Sequence, residues 1–277
     1  MYCGYILINA SFYLLRLFRI LFFNSYLEDT YKDHCNRTIV FSNCLVSEPQ
    51  TIVSWNIHGL PLFLTSNITK NIVKKIINFN SDIVCIQECF SDILLDKIKK
   101  ETCTIYPYLI TGSLKKKFVL GENSGLVILS KYPINFQLFH NYKSSSGCDS
   151  LSNKGYLIVK IGKLNIVNTH LQSDELNIFG NTEKIIEAQL EELKQYLPCE
   201  NTILCGDFNT QKLDDYINIT KNNKRNTLNS LYFRNPQICD YIVSNDKNYQ
   251  LRTTVIDLFN NPSDHKPVKA LILKNQT

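Results

Sequence analysis

From Thr51 onward, short β-branched runs alternate with longer mixed segments, and several of these runs close on a polar residue able to meet a metal or a phosphate. The strands expected are 51–56, 83–87, 125–130, 156–161, 165–168, 202–205, 241–244 and 268–273. The polar residues at or near their ends are Asn56, Glu88, His170, Asp207 with Asn209, Asp240, and Asp264 with His265. Strand ends meet along one edge of an α/β sheet, so groups so placed are expected to converge in one cleft. Two helical stripes lie between the runs. Residues 67–79 carry apolar side chains at 68, 72, 73, 76 and 77, and residues 182–196 carry them at 185, 186, 190 and 193 before Pro198 ends the run. Helices between strands, with hairpin-like pairs such as 156–168, argue for an α/β protein of two sheet layers covered by helices.

Composition narrows the class. With 277 residues, 44% hydrophobic and 20% charged, the chain can bury a core and is neither disordered nor fibrous. A net charge of +5, with Lys115, Lys116 and Lys117 as its longest basic run, falls far short of a nucleic-acid-binding tail. Cys85 and Cys205 sit in apolar runs and read as buried free thiols, and no Cys/His cluster has zinc spacing.

Residues 5–23 are the one membrane-like stretch, within an apolar segment 1–27 joined by a polar linker, 28–50, to a domain at 51–277. Arg16 and Arg19 would each cost about 2.5–3.5 kcal/mol near a bilayer centre. They lie three apart on one face of a helix, which suits a helix lying on the membrane. The chain is expected to be membrane-associated. If the segment spans, Lys32 and Arg37 favour a cytoplasmic domain.

The candidate chemistry follows from residue type. Glu88 and Asn56 offer hard oxygen ligands suited to magnesium. Asp207 and Asn209, two apart in GDFN, point to the same side of an extended segment, where they can hold a water and an anionic oxygen together. His265 can take a proton at neutral pH and needs a carboxylate to fix its ring. Asp240 is the candidate for that task, with Asp264 facing the metal side. His170 could donate to a phosphoryl oxygen.

The segments SWNIHG, IQE, NTHLQ, GDFN, CDYIV and SDHKP resemble, in order, the motifs of the endonuclease/exonuclease/phosphatase superfamily over residues 51–273. The resemblance implies a four-layered α/β sandwich of two mixed β-sheets flanked by helices, with the site at one edge. Residues 147–175 are similar to the neutral sphingomyelinase branch. They share an Asp-x-x-x-x-Lys-Gly element (Asp149, Lys154 and Gly155) and a T-H-x-Q sequence (Thr169, His170, Leu171, Gln172). Residues 123–134 resemble a hairpin of the same branch.

What the branch implies is a magnesium-dependent phosphodiesterase, with manganese as a substitute ion, that cuts sphingomyelin or a related phospholipid at a membrane surface. Asn56 and Glu88 would bind the ion, with Asp264 supporting the metal and its water shell or the histidine. His265, oriented by Asp240, would be the base. Asp207 would orient the nucleophile or assist leaving-group protonation. Asn209 and His170 would stabilise the pentacovalent phosphorus. Lys154, paired with Asp149 in one state, would reach the phosphate in another. The resemblance calls for no obligate protein partner and no nucleic acid. The alternatives are a nuclease of the same superfamily, for which Tyr106, Tyr108 and Lys115–Lys117 are thin support, and a membrane-tethered binding module with an inactive site. The chain departs from the family at Ile186, where an Arg three residues before Gln189 is common, which puts a helix-anchoring contact in doubt.

Overall fold

The computed structural model describes residues 48–60, 64–112, 123–173, 182–216, 226–228, 237–244 and 246–275. The membrane-like stretch 5–23, nearly all of the linker and Lys115–Lys117 lie outside the described residues. Among the described residues no helix is long and apolar enough to cross a membrane.

In chain order the elements are β1 (Thr51–Asn56), α1 (Ser66–Phe79), β2 (Ile83–Gln87), α2 (Asp92–Thr102), β3 (Tyr108–Thr111), β4 (Val127–Ser130) and β5 (Phe136–Asn141). A short 3₁₀ turn follows at Gly147–Leu151. Then come β6 (Gly155–Ile161), β7 (Leu164–His170), α3 (Thr182–Tyr196), β8 (Thr202–Asp207), α4 (Leu213–Tyr216), β9 (Asp240–Ser244), β10 (Tyr249–Val255) and β11 (Val268–Lys274). They form two mixed sheets. The first has the order β10-β11-β1-β2-β4-β3 and the second β5-β6-β7-β8-β9. Pairings β1–β2 and β7–β8 are parallel, and the others are antiparallel.

Side-chain alternation builds the layers. Ile52, Ile83, Cys85 and Ile128 of the first sheet pack against Leu157, Val159, Ile166, Ile203 and Cys205 of the second, forming the core between the sheets. The intervening residues Val53, Trp55, Val84 and Ile86 face outward onto α1 and α2 through Ile72, Ile76, Leu94 and Ile98. On the other side α3 lays Ile186, Leu190 and Leu193 on Val167, Leu204 and Tyr241. The expected sandwich is therefore present, with helices outside both sheets, and Cys85 and Cys205 are buried free thiols as expected.

Local signals explain the helix boundaries. Thr65 Oγ1 accepts the Ile68 N–H at 3.2 Å and caps α1. Asn80, with φ +44°, ends that helix in the left-handed region. Apolar periodicity missed β3, β5, β10 and α2. Strand β5 lies at an edge and leaves Phe136 and Leu138 exposed, while β10 alternates with only one face buried. Helix α2 buries only Leu94, Ile98 and Thr102, a stripe too narrow to stand out, although Ser91 Oγ caps it by accepting from Leu94 N.

Leu190 is fully enclosed between α3 and the second sheet. Leu190→Ala should lower unfolding stability by about 2–5 kcal/mol, read as a lower urea midpoint with an unchanged slope.

Candidate active site

The same alternation carries polar groups to one rim of the inter-sheet layer. Reading along the inner face, β1 runs Ile52–Ser54–Asn56, β2 runs Ile83–Cys85–Gln87, β7 runs Ile166–Asn168–His170 and β8 runs Ile203–Cys205–Asp207. Each strand begins apolar and finishes polar, so the site forms where the apolar core runs out. Glu88 follows β2 directly, and its φ of +58° turns the carboxylate towards the cleft. Two glycines allow the close approach. A Cβ on Gly125 would lie 3.1 Å from Glu88 N, and one on Gly206 would lie 2.0 Å from Thr169 O.

Asp207 Oδ2 is the hub. It accepts from Asn56 Nδ2 at 2.9 Å, and it lies 3.6 Å from His170 Nε2 and 3.7 Å from His265 Nε2. The second Nδ2 proton of Asn56 goes to Glu88 Oε1 at 2.8 Å, so one amide bridges both carboxylates. His265 Nδ1 meets Asp240 Oδ2 at 2.9 Å. The His265 loop is pinned by Ser263, whose Oγ donates to Asn56 O at 2.7 Å and accepts from His265 N at 3.0 Å. Asn209 N donates to Asp207 Oδ1 at 3.0 Å, and Asn209 Nδ2 donates to Leu171 O at 3.1 Å. Lys154 is 4% exposed, and its Nζ meets Asp149 Oδ2 at 2.8 Å, His170 Nε2 at 3.0 Å and Leu171 O at 3.0 Å. Asp149 Oδ2 also accepts from Ser173 N and Ser173 Oγ.

The buried charges tilt one another. Burial pushes the Glu88 carboxyl up, only partly opposed by Asn56 and Lys154. Burial also pushes Asp207 up, against the attraction of His265. Burial, Lys154 and His265 together drive His170 well below its ordinary value, so this ring is neutral near pH 7. For His265, burial acts downward, but the Asp240 and Asp207 carboxylates outweigh it and raise the imidazole well above its ordinary value. Burial would raise Asp264, yet the His58 hydrogen bond and the charge of His265 hold it down.

The fit of the site to a metal ion follows from its donors. Hydrogen bonds to a charged group contribute about 1.5–3 kcal/mol each, whereas burying a carboxylate costs several kcal/mol. Asp207 also takes the Asn209 N–H, whereas Glu88 has only the shared amide as a hydrogen-bond donor among the described residues, so a cation beside them would offset burial that these bonds leave uncompensated. Ligand atoms of Glu88, His170 and Asp207 lie within 4.8 Å of one another, as do those of Asp207, Asp240 and His265. Carboxylate oxygens so gathered suit a hard divalent cation.

Every residue expected at the site lies in this region, but two differ from expectation in arrangement. Asn56 presents its nitrogen to the carboxylates, because its Oδ1 accepts the His58 N–H at 3.0 Å. In this arrangement it steadies Glu88 and Asp207 rather than offering an oxygen to an ion. Asp264 Oδ1 faces His58 Nδ1 at 3.3 Å and stands outside the Glu88–His170–Asp207 group. Its neighbour His265 is drawn to Asp240 and Asp207 on the other sheet, and adjacent side chains diverge. Asp240 opens β9 and Asp264–His265 precede β11 rather than closing a strand. Both strands run antiparallel to their neighbours, which brings these starts to the same rim.

Sequence reasoning missed His58, which lies within the SWNIHG segment and stands 3.7 Å from Glu88 Oε2. It also missed the roles of Gln87, Asn168 and Ser263. The doubted helix anchor exists without the Arg: Gln189 Oε1 accepts from Gln172 N at 2.8 Å, and Gln189 Nε2 donates to Ser144 O at 2.7 Å. Of the aromatic pair that supported a nuclease groove, Tyr106 is buried.

Fold and site together define a metal-competent phosphoesterase-type centre. The chain belongs to the endonuclease/exonuclease/phosphatase family, whose model matches residues 53–265. It is 28% identical to a phospholipase C of Staphylococcus aureus over 254 aligned residues, covering 69% of this chain and 76% of that one. It is 30% identical to a sphingomyelinase C of Bacillus cereus over 164, covering 49% and 47%. The fold matches a structure of the S. aureus beta toxin with bound magnesium ions at a TM-score of 0.68 and 23% identity, covering 81% of this chain and 99% of that one.

Asp240→Asn should lower the His265 titration in chelator-treated protein, because it removes the nearest carboxylate that raises it. The folded value of the wild type lies above 6.5. Its contribution to stability is therefore complete below that pH and fades as pH rises through the folded value. The variant should show a smaller fade, with NMR of the ring protons reporting the shift. An unchanged His265 titration would contradict the assigned pair.

Proposed function

We propose that this chain is a magnesium-dependent phosphodiesterase that hydrolyses sphingomyelin, or a related choline phospholipid, to ceramide (or a diacyl lipid) and phosphocholine. The observation that carries the reading is the contact of Lys154 with His170 and Asp149 beside the Asp207 hub. It adds a buried ammonium, close to where a phosphate diester would sit, to an acid–base centre of the family. The names of the matched relatives support the same substrate class.

Glu88 and Asp207 would hold the ion, with Asn56 fixing both carboxylates. Manganese, also a hard octahedral cation, would substitute in the same donor set. When bound, magnesium supplies positive charge that draws in a phosphoryl oxygen and offsets the carboxylate field that keeps His265 protonated. Asp240 holds the Nδ1 proton of His265, leaving Nε2 to accept a proton from water. The water oxygen forms a bond to phosphorus as the bond from phosphorus to the ceramide oxygen breaks. That oxygen leaves with a proton, for which Asp207 and His265 are the nearest carriers. Lys154 and Asn209 would donate to the phosphoryl oxygens as charge builds, with Asp149 setting the resting position of Lys154. Asp264 holds His58 beside Glu88, where the two would border a bound ion.

The domain division at residues 27 and 50 remains part of this reading. The domain from Thr51 would act at a membrane surface, with residues 5–23 as its attachment. A cytoplasmic placement has no support beyond Lys32 and Arg37.

Full-length protein with magnesium should release phosphocholine from sphingomyelin-containing vesicles, and EDTA should stop it. Strong DNA cleavage without lipid turnover would instead establish the nuclease reading. His265→Ala should reduce turnover by roughly a thousandfold or more, by analogy with loss of an essential general base. Glu88→Gln should raise the magnesium concentration needed for half-maximal rate. Near-normal kinetics in folded samples of either variant would refute the base role of His265 or the ligand role of Glu88 respectively.

A further inference from the structure

Between the apolar middle of the inter-sheet core and the catalytic rim lies a layer of uncharged polar side chains: Ser54 on β1, Gln87 on β2 and Asn168 on β7. All three are fully buried. Asn168 Nδ2 donates to Ile86 O at 2.9 Å and Val127 O at 3.2 Å, both in the first sheet. Carbonyl oxygens only accept, so these contacts fix which way the Asn168 amide points. Its Oδ1 then requires a donor and finds Gln87 Nε2 at 2.6 Å. The same Nε2 donates to Ser54 Oγ at 3.1 Å. Gln87 Oε1 is left without a hydrogen-bond partner among the described residues.

An apolar pair would fill this space without stranding an oxygen, so stability alone is a poor reason for the arrangement. Its place suggests another. Gln87 directly precedes Glu88, and Ser54 and Asn168 stand one inner-face position before Asn56 and His170. Apolar contact between sheets is non-directional and sets no fixed register. Hydrogen bonds with both partners oriented do set one.

We propose that Gln87 and Asn168 are positioning residues that lock the two sheets together just below the rim. They thereby set the span between Glu88 on one sheet and His170 and Asp207 on the other, on which the grip on a divalent ion depends. This rests on the reading of the site as a magnesium centre.

The test uses full-length Gln87→Met, Asn168→Leu and the double variant, at a temperature where circular dichroism shows each to be folded. Magnesium affinity is measured by calorimetry, and kcat and KM on sphingomyelin vesicles. Each single variant should weaken magnesium binding at least fivefold and lower kcat at least tenfold, with KM for lipid within twofold of wild type. The double variant should lose less than the two single losses combined, because both changes break the same Gln87–Asn168 bond. Lower melting temperatures with magnesium affinity and kcat within twofold of wild type would overturn the proposal. Should Asn168→Leu fail to fold, Gln87→Met decides alone, since it leaves the bonds from Asn168 to the backbone intact. A wild type that binds magnesium but leaves sphingomyelin uncut would defeat the functional reading, and the calorimetric comparison would still decide this one. A wild type that binds no magnesium would overturn both.

Discussion

Two carboxylates, the half-buried Glu88 and the buried Asp207, come from different sheets and share a single amide, that of Asn56. Like charges in a poorly solvated space repel, and burial already favours their neutral forms. The remaining acids are committed elsewhere, Asp240 to His265, Asp264 to His58 and Asp149 to Lys154. Every other feature of the rim can be understood as a response to this crowding. Beyond the shared amide, Asp207 adds the Asn209 N–H and the more distant His170 and His265 rings, and Glu88 only the distant His58 and His170 rings. These two carboxylates are the ones left facing the position where a divalent cation would resolve the conflict.

The backbone contributes to the same arrangement. His58, Glu88 and Asn209 have φ of +49°, +58° and +49°, in the left-handed region that costs a residue with a side chain some strain. All three follow a strand end by one or two residues. A continued strand would carry the chain straight past the rim, whereas a left-handed step turns it back. His58 N and Asn209 N then return to Asn56 Oδ1 and Asp207 Oδ1, so the local bonds that repay the strain also aim the site.

Much of this was legible in the chain. The central strands β1, β2, β7 and β8 stand out because both faces are covered, so each carries an apolar run before its polar end. The edge strands β3 and β5 and the half-covered β10 stand out less because only part of each is buried. The polar endings of the runs pointed to a common rim, and Asn56, Glu88, His170, Asp207 and His265 meet there. What pattern alone could not supply was the partner of each side chain. Period-two alternation tells which face Gln87 and Asn168 occupy, but they are 81 residues apart, and only the stacking of the sheets makes them neighbours. The orientation of Asn56 was hidden for a different reason, since it is fixed by the N–H of His58, whose left-handed backbone just past the strand no pattern announces. Sequence likewise shows only that Asp149 and Lys154 are five residues apart, and not that Lys154 is buried with its ammonium donating to the Leu171 carbonyl.

That buried lysine also constrains what His170 can do. An ammonium only donates, so the contact between Lys154 Nζ and His170 Nε2 makes Nε2 the acceptor. With the ring neutral, its proton then sits on Nδ1, an atom buried without a partner among the described residues. In this state His170 has no proton to offer a phosphoryl oxygen from the side that faces Glu88 and Asp207. A donating role for His170 and a phosphate-binding role for Lys154 are therefore not independent. If Lys154 transfers its donor to a phosphate oxygen, the Nε2 lone pair is released, and the ring can take a proton or change tautomer towards the substrate. The hydrogen bonds from Ser173 and Lys154 to one Asp149 oxygen hold the first of these states in place. A diester bound at the rim would compete for the same ammonium, coupling occupancy of the site to the chemistry its histidine can perform.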